Sequence, residues 1–301
     1  MKQQQGLSVN VPLQYLVIHV VQQCDWLSAS DVQSQSPFAH VHGIPTSSLR
    51  TMQFIRFAFL LLLFNGLAVS QDVASHLARG DAAQLQMKAD VALAAYRDAE
   101  KLEPRNVETL WRISKVLSDF AADESDEARA KQFLRRALSY ATCAVHIDSS
   151  HAMAWVSLAI VHGQLAVIAP VADKLELSKK IQQYSSRALE LDHSNHPAML
   201  VLGMWNREIA SLSWIVRLTV RLVYGGVPDA SLEESQRLLT AAAALRPDDI
   251  MSRVELAKTL IELKEKNEAM MHLRKSLALP LRDVGDPRRQ EEARKLLREL
   301  T

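Results

Sequence analysis

The chain has 301 residues, 48% of them apolar, enough to bury a sizeable core in one or two domains. Its 35 basic residues balance 34 acidic ones, so neither the basic excess of a nucleic-acid binder nor an acidic tail is present. Nine glycines and 6% aromatic residues favour helices over strands, and two distant cysteines, Cys24 and Cys143, cannot build a zinc site or a disulfide framework.

Residues 1–51 show no helical period and few charges, which predicts a non-structured or mis-annotated leader. Residues 52–70 then read as a secretory signal. Arg56 supplies the basic start, Phe57 to Phe64 the apolar run, and Ala68-Val69-Ser70 a small-x-small cleavage site. The uncharged stretch ending at Gln71 is shorter than the ~20 residues that span a bilayer, which favours a cleaved signal over an anchor. Met52 then becomes the true start and the chain is exported, periplasmic or secreted. If that signal is not used, the chain is cytoplasmic or membrane-anchored.

From residue 71 to 301 a helix-hairpin pattern repeats, small-x3-large-x2-small with a breaker five residues on. Ala92, Tyr96, Ala99 and Pro104 make the first second-helix copy, and Ala137, Ala141, Ala144 and Ser149 the next. Ile181, Ser185, Ala188 and His193 follow, then Ser235, Leu239, Ala242 and Pro247, then Ala269, Leu273, Ser276 and Leu281. First helices carry Ile113-Ser114, Leu158-Ala159, Leu202-Gly203 and Leu256-Ala257 at matching places. Small residues let neighbouring helices approach closely, and the terminal proline stops the second helix. The expected fold is all-α: a tetratricopeptide-like α-solenoid of about five hairpins, with inserted helices and a capping helix near Arg288 to Leu300.

The breakers lie 45, 44, 54 and 34 residues apart, and only the last interval has the standard length. The surplus is expected between the two helices of a hairpin, at Ala121 to Ala130, Val167 to Leu177 and about Ser211 to Ser231, where insertions often shape a binding surface. The third is apolar from Ser211 to Tyr224 apart from Arg217 and Arg221. Trp214, Arg217 and Arg221 make it a candidate docking helix, for a partner or as a peripheral membrane contact. A helix packed inside the array is the plainer alternative.

The register places a partner groove on the concave side, with Trp111, Lys115, Val156, Ile160, Met204, Arg207 and Lys258 as candidate lining residues. Apolar side chains with scattered cations suit an extended or helical peptide of some acidic character. An apolar-ligand or lipid carrier, walled by the Trp214 to Tyr224 helix, is the alternative. His193 and His196 beside Asp192 fall at an inter-repeat turn and carry no metal-site spacing. No catalytic motif occurs, and neither enzymatic activity nor a cofactor is expected.

Leu202-Gly-Met-Trp-Asn-Arg-Glu-Ile, Tyr224-Gly-Gly-Val-Pro, Leu110-Trp-Arg-Ile and His151-Ala-Met-Ala-Trp-Val resemble the regulator of microtubule dynamics family. The resemblance covers about residues 74 to 300, including the third insertion. It implies a tetratricopeptide-like fold, a non-enzymatic protein-interaction scaffold and, for animal members, association with microtubules. The exported signal matches a bacterial-type relative instead, and microtubules become partners only in the cytosol.

Overall fold

The computed structural model describes residues 71–213, 216, 226 and 228–301. The leader, the signal segment, and Trp214, Arg217 and Arg221 of the candidate docking helix lie outside the described residues. Eleven helical elements, α1 to α11, are set out below; no strand occurs among the described residues.

The first hairpin pairs α1 (71–85) with α2 (Ala89–Leu102). Then come α3 (Val107–Asp123) with α4 (Glu127–Ile147), and α5 (Ala152–Ile168) with α6 (Val171–Leu191). The last two are α7 (His196–Ala210) with α8 (Leu232–Leu245), and α9 (Ile250–Glu262) with α10 (Lys266–Ala278). Helix α11 (Asp286–Leu300) closes the array; its Ala293 is fully buried, and Leu296, Leu297 and Leu300 pack on the core of the last hairpins.

The expected register holds. Ala92, Ala99, Ala137, Ala144, Ala188, Ala242 and Ala269 are fully buried, as are Ser114, Ala159 and Ala257 of the first helices. Inter-hairpin turns share one geometry. The N–H of Glu103, Asp148, Asp192 and Arg246 bonds back to Ala99, Ala144, Ala188 and Ala242. Three residues further on, Asn106, Asn195 and Asp249 cap the next helix by accepting from a backbone N–H at 2.7–3.0 Å. Pro104, Ser149, His193 and Pro247 occupy the second place of these turns, where a proline costs no helical hydrogen bond.

The first two insertions differ from expectation. Their residues form no inserted helix; they lengthen both helices of the hairpin. Helices α3 and α5 have 17 residues and α4 and α6 have 21, against 13 each for α9 and α10. At 1.5 Å per residue, α4 and α6 are about 12 Å longer than α10. The connections shrink to three residues (124–126) and two (169–170). Continuing a helix satisfies every added backbone group internally, which a long loop does not.

Candidate interaction groove

The first helices of successive hairpins pack side by side, α3 on α5, α5 on α7 and α7 on α9, and form the concave wall. Helix α1 extends it. In phase with Ala257 and Lys258, it offers Gly80 at the small position and Asp81 at the next, both missed in the sequence because the first-helix pattern is otherwise degenerate there. Gly80 accommodates the Tyr96 ring, which sits so close that a Cβ would fall 2.2 Å from it.

At the α1–α3–α5 end the wall is polar. Arg112 donates to Asp81 with Nε (2.9 Å) and Nη2 (3.1 Å), while Tyr96 OH donates to the same carboxylate at 2.7 Å. Arg112 also bonds Glu108 and lies 4.3 Å from the centre of the Trp111 ring, whose Nε1 donates to Glu108 at 2.9 Å. His151 Nε2 meets the other Glu108 oxygen at 2.9 Å. The His151 bond, against the opposing effect of burial and with help from Arg112, holds the Glu108 carboxyl at about 2. That same bond raises the His151 pKa.

The three candidate cations are internally paired. Lys115 Nζ lies 2.7 Å from Asp119 and 3.5 Å from Asp283. Burial opposes its charge, but the two carboxylates outweigh that and its pKa rises. Arg207, only 4% exposed, binds Glu255 of α9 through its side chain at 2.7 Å and its carbonyl at 3.1 Å. Lys258 lies 3.2 Å from Glu255 and 3.1 Å from Glu292 of α11. An acidic peptide would have to displace these carboxylates, so charge gives no preference for one. Val156 is fully buried against Ala188 and Ala198 and presents nothing to a partner.

What remains open is apolar. Met153 and Ile160 of α5 and Met204 of α7 are partly exposed, and a Cβ built on Gly163 would have no neighbouring atom within 4 Å. A glycine inside a helix costs about 1 kcal/mol relative to alanine. No packing contact requires it at Gly163, which leaves free space above the backbone of α5.

The described residues show no catalytic arrangement. His196, Ser252 and Asp249 meet in the core, but Ser252 and Asp249 both approach the same ring nitrogen, Nε2, at 2.8 and 3.6 Å. A nucleophilic triad needs the carboxylate on the opposite nitrogen, and Ser252 is fully buried. His193 is exposed and His196 points into this bond, so they share no ligand geometry; among the described residues no group of His, Cys, Asp and Glu could hold a metal. Trp205 is a packing residue, its Nε1 donating to Ser178 O at 3.0 Å, and Trp155 rests on Tyr184 with centroids 5.6 Å apart.

Stacked hairpins of this register, with a concave wall and a capping helix, define a tetratricopeptide-like helical repeat protein. A thermophilic tetratricopeptide protein from Thermus thermophilus superposes with a TM-score of 0.56 at 16% identity, over 74% of this chain and 99% of that one. The model of the regulator of microtubule dynamics protein 1–3 family matches residues 76–301, and the chain belongs to that family. Regulator of microtubule dynamics protein 1 of Caenorhabditis elegans is 27% identical over 62% of this chain and 83% of its own length. The Bos taurus protein of that name is 26% identical over 65% of this chain, and the match spans 62% of the bovine protein, less than two thirds.

Proposed function

We propose that the protein is a non-enzymatic scaffold that holds an apolar peptide segment of a partner protein on its concave face, across α5 and α7. The observations behind this reading are the open space above Gly163 of α5 and the partial exposure of Met153 and Ile160 of α5 and of Met204 of α7. A backbone or bulky side chain fits closely where a helix lacks a Cβ. The neutralised cations turn the expected preference from acidic to apolar peptides. Selection of random twelve-residue peptides displayed on phage, against the full chain, tests the site. Selected peptides are expected to be apolar and to lose at least tenfold in affinity to a Gly163→Trp variant. Peptides insensitive to both Gly163→Trp and Met204→Glu place the site elsewhere.

The relatives' names favour a second reading, action at microtubules, and this requires the cytosol. Export through the Met52 signal, with a mature chain beginning near Gln71, supports instead an extracytoplasmic partner. Peptide mapping of the expressed protein separates the two, since peptides from residues 3–50 would discard the Met52 start. Co-sedimentation with microtubules then tests the cytosolic form.

A further inference from the structure

In a repeat array each hairpin ordinarily touches only its neighbours. Here the turn that enters α11 reaches back to the second hairpin. Asp283 meets Lys115 at 3.5 Å, and Arg288 Nη1 donates to the carbonyl of Ala122 at 3.0 Å. These contacts join positions more than 160 residues apart, the second hairpin and the turn that follows the fifth.

The turn is rigid where it does this. Asp286, 4% exposed, accepts the N–H groups of Arg282 and Asp283, each at 2.9 Å, and binds Arg289 at 3.0 Å. Arg289 in turn holds Asp283 at 2.8 Å, and Gln290 Nε2 donates to the carbonyls of Ser276 and Leu279 at 3.1 and 3.0 Å. Burial would raise the Asp283 carboxyl, but Lys115 and Arg289 draw it down to about 2, so it is charged throughout the neutral range. The receiving end complements it. The last turn of α3 carries no basic residue of its own, and its carbonyl end attracts a cation such as Arg288.

The seam itself is loose. A cleft of about 600 Å³, lined by Val284, Pro287, Met87, Val91 and Phe120, opens beside the two polar contacts. The Lys115 and Asp283 side chains are 35% and 34% exposed, and a pair so placed is screened by water and salt.

We propose that the Asp283–Arg288 turn is a latch that ties the C-terminal end of the array to the second hairpin and is poised to open. Closed, it narrows the concave face at α3; open, it releases the second hairpin and the C-terminal cap from each other without unfolding either. The latch is independent of the peptide reading above, because its readouts need no partner.

The test uses the full chain, Asp283→Asn/Arg288→Ala, and Arg288→Ala alone, with hydrogen exchange and small-angle scattering in 50 mM and 1 M salt. Arg288 is exposed, which keeps the single variant folded even if the double variant is not. The expected result is roughly tenfold faster exchange in the last turn of α3 and in residues 282–287, with a larger radius of gyration and unchanged helical content. High salt should reproduce this in the unaltered chain and add little in the variants. Unchanged exchange and size in Arg288→Ala and in high salt would overturn the latch. Loss of protection throughout α9 to α11 would also overturn it, by showing the contacts to be part of the core.

Discussion

Gly80 and Gly163 lie inside first helices of the same array, yet alanine should act on them in opposite directions. Replacing a helix-interior glycine by alanine gains about 1 kcal/mol from the unfolded chain's lost freedom. At Gly163 nothing opposes that gain, since the added methyl meets no neighbour within 4 Å. At Gly80 the methyl would stand 2.2 Å from Tyr96 Cε1 and 2.6 Å from Cδ1. Ordinary contact begins at 3.4 Å, so the ring edge must retreat by about 1.2 Å. Tyr96 is 1% exposed and its hydroxyl is bonded to Asp81 at 2.7 Å, within reach of Arg112, so the ring has nowhere to go without loosening that network. Overpacking costs about 1–3 kcal/mol and a weakened buried hydrogen bond about 1 kcal/mol more, which exceeds the helix gain. Gly80→Ala should therefore lose about 1–3 kcal/mol and Gly163→Ala gain up to about 1 kcal/mol, read as urea midpoints at unchanged m-value. In melting temperature the Gly163→Ala gain is about 2–4 °C for a domain of this size. A Gly80→Ala variant as stable as the parent would refute the packing argument, and a destabilised Gly163→Ala variant would refute the claim of open space.

Removing one partner of the buried Arg207–Glu255 pair, as in Arg207→Ala, should cost about 3–5 kcal/mol, while Arg207→Met/Glu255→Leu should recover most of it; chemical denaturation of the single and double variants checks both. Lys264 holds φ +64° in the α9–α10 turn, where the N–H of Glu265 and of Lys264 close the helix end on Leu260 and Ile261, so Lys264→Gly should stabilise by up to about 1 kcal/mol in the same assay. The His151–Glu108 bond should be pH-dependent on both sides. With its pKa raised above 6.5, His151 contributes fully below that pH and loses its contribution as pH rises through the folded value. With its carboxyl at about 2, Glu108 contributes above 4.5 and loses it as pH falls toward 2. Stability from the pair should peak between about 4.5 and 6.5, visible as a raised His151 titration by NMR that returns toward 6.5 in Glu108→Gln.

The repeat phase was legible because it is local. Small residues at fixed offsets, as at Ala92 and Ala99 or Leu158 and Ala159, report a helix surface whatever lies elsewhere in the chain. The two shorter insertions were located correctly but misread in form. Ala121 to Ala130 and Val167 to Leu177 contain the turns, and Pro170 marks one, yet nothing in their composition separates an inserted element from a first helix grown by about one turn and a second grown by about two. Helix α1 is implied by the five expected hairpins, but its register was not legible because only Gly80 keeps the first-helix pattern.

Candidate groove residues came from register alone, and register fixes which way a position faces, not what meets it there. Lys115, Arg207 and Lys258 do project from first helices, but Asp283 from the turn before α11, Glu255 from α9 and Glu292 from α11 arrive to neutralise them. Val156 faces a neighbour that fully covers it. By itself the sequence determined the helical class, the phase of the hairpins and the cap at α11, since each depends on residues within a few turns of one another. Tertiary structure decided which groove positions stay open and where the C-terminal turn meets the second hairpin. Those outcomes depend on pairs as distant as Lys115 and Asp283, whose separation is set by the accumulated rotation of every hairpin between them.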